Sequence, residues 1–202
     1  MVIKKGSRNI AAIATLLTLL SVVYASSCSK SSFNKYSCSG VVCLNGGYCD
    51  SGLCVCPVGF EGANCSIPYT AKYLGTWDVR QVIIGTDSVK YLHDTAYYQA
   101  FLKATATPTT FFFDNFAGDP YYNQVVCIID TIIKGASSDN TNNFVIDTTS
   151  GYSMRYGHYM LQWGYGSIND TTINATYSVR FTNNTSNYEH DTVSITLTPH
   201  HL

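Results

Sequence analysis

Ile173-Asn174-Ala175-Thr176-Tyr177-Ser178-Val179-Arg180-Phe181-Thr182 is the stretch whose reading decides the fold class. Ile173, Ala175, Tyr177, Val179 and Phe181 share one face, and Asn174, Thr176, Ser178, Arg180 and Thr182 share the other. A period of two marks a strand with one buried face, because successive side chains point to opposite sides of a sheet. Thr192 to Thr198 repeats the pattern, with Val193, Ile195 and Leu197 set against Thr and Ser. The polar connection Asn183 to His190 between the two reads as the loop of an antiparallel hairpin. Working outward, Gln124 to Ile133 is almost continuously apolar and is expected to be a strand buried on both faces. A buried helix is the rival there, but the β-branched content favours strand. Further strands are expected near Tyr73–Ile84, Tyr98–Ala106, Thr110–Phe116, Asn143–Thr148 and Gly157–Ile168.

About eight strands joined by Gly, Asn, Asp and Pro loops make residues 70–202 an all-β domain, either a closed antiparallel barrel or a β-sandwich. Composition agrees. Only 12% of residues are charged, about half the usual share, and Tyr, Thr, Val and Ile are the residues that suit strands. A net charge of −1 gives no electrostatic footprint for nucleic acid. A hydrophobic content of 46% excludes wholesale disorder. Tyr73-Leu74-Gly75-Thr76-Trp77 opens the domain, and its Gly75-x-Trp77 resembles the start of the first strand in lipocalin-like barrels. Tyr165-Gly166-Ser167-Ile168, followed by the alternating strand, is similar to their late strands. The resemblance implies a lipocalin-like (calycin) barrel in which an Arg from a late strand covers the Trp. Arg180 is the candidate, on the face opposite Tyr177 and Val179.

The 8 cysteines are distributed unevenly. Cys38, Cys43, Cys49, Cys54, Cys56 and Cys65 follow the spacing C-x4-C-x5-C-x4-C-x-C-x8-C. A segment this short cannot bury enough apolar surface to fold alone, so a disulfide framework is expected. Spacing by itself leaves all fifteen pairings open. Zinc is the alternative, disfavoured where thiols oxidise. Cys54-Val55-Cys56-Pro57-Val58-Gly59-Phe60-Glu61-Gly62-Ala63-Asn64-Cys65 resembles the end of an EGF-like domain. The resemblance covers residues 38–66 and implies the pairs Cys38–Cys49, Cys43–Cys54 and Cys56–Cys65. Calcium-binding members carry carboxylates just before the first Cys. Here Ser32 to Ser37 has none, so calcium, which takes six to eight oxygens, is not expected.

The N-terminus reads as an address. Lys4, Lys5 and Arg8 precede Ile10 to Tyr24, an uncharged run with the length of a signal-peptide core rather than a membrane span. Ala25-Ser26-Ser27-Cys28 resembles the lipobox of bacterial lipoproteins, with Ala25 where that family usually has Leu. The resemblance implies cleavage of residues 1–27, acylation of Cys28 (palmitate being a typical chain) and a tether over residues 28–37. The alternative is ordinary signal peptidase cleavage, which leaves Cys28 a plain thiol. Losing Lys4, Lys5 and Arg8 leaves nine basic against thirteen acidic residues, a net −4.

No catalytic constellation is legible. There is no G-x-S-x-G, P-loop or dinucleotide fingerprint, and His93, His158, His190, His200 and His201 lack ligand spacing, so no metal or cofactor is expected. His200 and His201 read as mobile chain end. Asp residues read as turn formers. Five Asp-Ser/Thr-apolar triplets, among them Asp170-Thr171-Thr172 and Asp191-Thr192-Val193, resemble an O-glycosylation motif of some Gram-negative bacteria. Cys127, within Val125 to Ile129, reads as a buried, unreactive thiol, or as a partner for Cys28 if Cys28 is not acylated. Tyr98, Phe112, Tyr159 and Trp163 are the candidate ligand-binding aromatics, since Tyr and Trp combine an apolar face with a polar tip. The expected function is a non-enzymatic binding lipoprotein of the cell envelope, on the outer membrane. It would recognise a small apolar molecule, a glycan or a protein through the barrel. The alternatives are a structural or adhesion protein with a filled barrel and a hydrolase with a scattered site.

Overall fold

The computed structural model describes residues 37–87, 91–120, 122–130, 141–149, 159–182 and 188–201. The expected signal peptide, Cys28 and all of the tether but Ser37 lie outside these residues. In the N-terminal part, β1 (Tyr48–Asp50) and β2 (Leu53–Val55) form a hairpin, and β3 (Phe60–Glu61) pairs with β4 (Ile67–Pro68). Ser51 and Gly52, both at positive φ (52° and 84°), turn the first hairpin, the backbone that matches the twist of two short strands. Disulfides join Cys38 to Cys49, Cys43 to Cys54 and Cys56 to Cys65. They hold a module in which Val42, Leu53 and Val58 stay largely exposed; covalent links stand in for the core it lacks.

The remainder is a closed antiparallel barrel of eight strands: β5 (Gly75–Thr86), β6 (Thr95–Ala104), β7 (Thr110–Asp114), β8 (Val125–Ile129), β9 (Asn143–Ile146), β10 (Tyr159–Asn169), β11 (Thr172–Thr182) and β12 (Tyr188–Pro199). Each strand pairs with the next, and β12 returns to β5 in a register running from Asp191↔Thr86 to Pro199↔Trp77. This closure rules out the sandwich and removes the exposed sheet edges on which chains aggregate. The alternating strands bury the expected residues, Ile173, Ala175 and Tyr177 on β11 with Val193, Ile195 and Leu197 on β12, although Ser178 on the polar face of β11 is buried as well.

One expectation fails. β8 is not buried on both faces: Val125, Cys127 and Ile129 point inward, while Ile128 is 44% exposed on the outer wall. A single-sheet barrel has no second layer over its outside, so a continuous apolar run still buries only alternate residues.

The end of the barrel where β5 begins, here the proximal end, is filled by aromatics. Tyr73, which precedes β5, stacks on Phe111 at 4.9 Å, and Phe144 meets both edge-on. Two glycines make room. A Cβ at Gly164 would come within 2.8 Å of Ile146, and one at Gly166 within 2.7 Å of Ala175 Cβ. The disulfide module is fixed at this end. Tyr69 N donates to Gly59 O (2.9 Å), and Thr70 N to Pro108 O in the β6–β7 loop (3.3 Å). Gly59, at φ 102°, lies so close that a Cβ would stand 2.5 Å from Pro108 Cγ. Module and barrel accordingly belong to one unit, Cys38–Leu202.

Candidate functional site

At the opposite, distal end the packing stops short. A cavity of about 340 Å³ opens between Gln81 and Ile83 of β5, Tyr177 and Val179 of β11, Asp191 and Val193 of β12, and Phe116, Ala117, Asp119 and Tyr122 of the β7–β8 loop. Its size sits at the small end of the range for ligand sites, roughly 300–1,000 Å³. The inward positions follow from strand parity. Val179 and Asp191 are paired across β11 and β12, two residues beyond the inward pair Tyr177 and Val193. Two broader hollows, about 610 Å³ along Asp78, Tyr97 and Gln99 and about 470 Å³ around Tyr165, Ser167 and Asn174, lie on the outer wall.

The β7–β8 loop shapes the site. Asn115, Ala117, Gly118 and Gln124 all take positive φ, between 56° and 70°, a conformation that costs about 1–3 kcal/mol at non-glycine residues and persists only where the surroundings enforce it. Several contacts do so. Asp114 accepts from Lys103 Nζ (2.7 Å) and from Gln124 N (2.6 Å), pinning the start of the loop to its end. Asn115 N donates to Asn123 Oδ1 (3.2 Å), and Phe116 N to Tyr122 O (3.1 Å). The result drives Phe116 into the barrel, where it packs on Phe113 at 4.9 Å and Tyr177 at 4.6 Å.

Polar groups in the cavity wall are organised around Gln81. Its Oε1 accepts from Tyr98 Oη (3.1 Å) and Tyr177 Oη (3.0 Å). Burial raises the Tyr98 phenol above the usual range. Tyr177 is raised well above it by burial first, and then by the neighbouring Tyr98, Tyr122 and Asp191. Both hydroxyls therefore stay neutral at physiological pH. Asp191 Oδ1 is sealed from solvent without a hydrogen-bond partner among the described residues.

No protein-family model, curated protein or solved structure matches the chain.

The structure separates the aromatics singled out from sequence. Tyr98 is half-buried beside the cavity. Phe112 faces outward, because its neighbours Phe111 and Phe113 are the inward ones. Trp163 also faces outward, since an irregularity between Leu161 and Trp163 shifts the alternation of β10; it stacks on Tyr165 at 5.7 Å on the outer wall. Tyr159 pairs with Phe181 through the backbone, and its side chain lies outside the described residues. Gly75 and Trp77 belong to the proximal end, where the Trp77 indole donates to Tyr73 O (2.8 Å). Arg180 does not cover that Trp. It lies at the distal end of β11, opposite His190, with Nη2 3.2 Å from Met160 Sδ.

Two histidines read as unremarkable from sequence are tied down. His200 contacts the Asp78 carboxylate at 3.0 Å, and its N donates to Thr76 O, so the chain end is held against β5 up to this residue. His190 Nδ1 lies 3.0 Å from Asp87 Oδ2 at the distal rim. Cys127 is a buried free thiol, raised by desolvation and by Asp147. Phe116 and Tyr122 stand out in the sequence as aromatics, but that they line a cavity with the carboxylate Asp191 is not legible there. Gly118-Asp119-Pro120 signals a turn, but nothing local says that its aromatics enter the barrel.

Proposed function

We propose that this chain is an envelope-anchored, non-enzymatic binding lipoprotein whose barrel takes up a small, largely apolar molecule at its distal end. The observation that carries the reading is the cavity of about 340 Å³ left between Phe116, Tyr177, Val179 and Val193 in an otherwise packed interior. Its wall is mostly apolar with a few convergent polar groups, the composition expected of a small-molecule site. The finer identity rests on resemblance: a lipobox-like Cys28, an EGF-like cysteine pattern and a lipocalin-like Gly75-x-Trp77 start. Together they make the chain a lipid-anchored outer-membrane protein, with the disulfide module between anchor and barrel.

The test is native mass spectrometry of the full chain purified from its membrane. A bound molecule should be lost when Val179→Phe fills the cavity. A ligand-free barrel from the native host would remove the small-molecule reading. Incorporation of labelled palmitate, abolished by Cys28→Ser, tests the anchor separately. The adhesion alternative is favoured by one observation, the exposed apolar run Ile128, Val145 and Tyr165, in register across β8, β9 and β10.

A further inference from the structure

The cavity has a charge character that apolarity alone does not describe. Its described wall holds two carboxylates, Asp119 and Asp191, and no Lys, Arg or His. Asp191 Oδ1 is out of solvent with no hydrogen-bond donor supplied by the described residues, a costly state for a carboxylate unless something pairs with it. Two of the tyrosines give an anion no help. The Tyr98 and Tyr177 hydroxyl protons are both committed to Gln81 Oε1, so these groups offer the lumen oxygen lone pairs rather than donors. Around the carboxylate stand aromatic rings. Phe116 lies 4.6 Å from Tyr177 and 6.2 Å from Tyr122, centroid to centroid. The faces of such rings carry negative potential and attract cations. Of the cations on neighbouring strands, half-buried Arg180 places Nη2 3.2 Å from Met160 Sδ, and Lys103 is engaged by Asp114.

We propose that the ligand of the distal cavity is an organic cation, an amine or quaternary ammonium with an apolar tail. Its charged head sits against Asp191 and the rings of Phe116, Tyr122 and Tyr177. The inference deepens the cavity reading above and rests on it. A fatty acid of the same size would bring a third negative charge beside Asp119 and Asp191, and a neutral alcohol could donate one hydrogen bond to Asp191 but would leave its charge unbalanced.

The experiment uses the full chain and three probes of similar size: hexyltrimethylammonium, 1-octanol and octanoate, each followed by calorimetry. The cation should bind about tenfold tighter than the alcohol, and octanoate weakest. Asp191→Asn, which keeps the shape and removes the charge, should weaken the cation about tenfold and leave the alcohol within about twofold. The probe comparison needs no substitution, so it decides the matter even if the variant misfolds. Alcohol binding as tightly as the cation would overturn the charge assignment and leave the cavity reading standing. No binding of any probe would sink both.

Discussion

Gly166→Ala is the sharpest test of how the barrel interior is filled, because two effects of opposite sign compete there. Gly166 lies inside β10, between Phe144 on β9 and Ala175 on β11. Replacing a strand glycine that needs no unusual backbone by alanine stabilises by about 0.4–1 kcal/mol, through the entropy of the unfolded chain. Against this, the new methyl would stand 2.7 Å from Ala175 Cβ and 2.7 Å from Phe144 Cε1. Phe144 has little room to withdraw, being held edge-on by Tyr73 at 5.6 Å and Phe111 at 5.3 Å. Overpacking of this kind costs about 1–3 kcal/mol, so overpacking wins and the net loss is about 1–2 kcal/mol. For a chain of this length that lowers Tm by about 2–8 °C. The assay is denaturant and thermal unfolding under non-reducing conditions, with Gly85→Ala as comparator. There the nearest atom, Thr192 Cβ, is 3.3 Å away, and a change within about 0.5 kcal/mol is expected. Combining Gly166→Ala with Phe144→Leu should cost about 1 kcal/mol less than the two singles added. Equal stability of the two alanine variants, or strict additivity with Phe144→Leu, would refute the packing argument.

Two further outcomes follow from burial and pairing. In a Cys28→Ser chain, Cys127 should resist thiol reagents at pH 8 until the barrel unfolds, because desolvation holds its proton on; native-state labelling would place it at the surface. Asp87 is held below its ordinary range by the His190 side-chain hydrogen bond first, then by the His190 backbone N–H. A depressed carboxylate contributes stability that is present above its unfolded value near 4 and lost as pH falls through the lower folded value. The carboxylate's contribution to the Asp87–His190 link should therefore be lost as pH falls below about 4. NMR titration should show Asp87 moving up toward an ordinary carboxylate in His190→Ala, and an unchanged Asp87 would contradict the link.

The strand content was legible because it is local. Alternation along residues 173–182 and 192–198 is enforced by the pleat of each strand on its own, and the same pattern identified the inward Tyr177, Val193 and Ile195. Trp163 shows where that reasoning stops. One irregularity in β10 reverses the parity of the residues after it, and no pattern within the strand announces where the bulge falls. Phe112 differs. In Phe111-Phe112-Phe113 three identical residues carry no alternation, so which of them points inward is decided by the register with β6 and β8. The choice between sandwich and barrel depended on β12 meeting β5, a pairing between the ends of the domain that short-range periodicity cannot encode.

By itself, then, the sequence determined an all-β domain of about eight strands behind a cysteine-dense module, since period, turn chemistry and cysteine spacing act over a few residues. Only the tertiary structure decided the cavity. Phe116 and Tyr122 enter the barrel because Asp114 clamps a strained loop, and Asp191 lines the wall because it is paired with Val179. Those are relations between segments far apart in the chain, and they exist only once the barrel has closed.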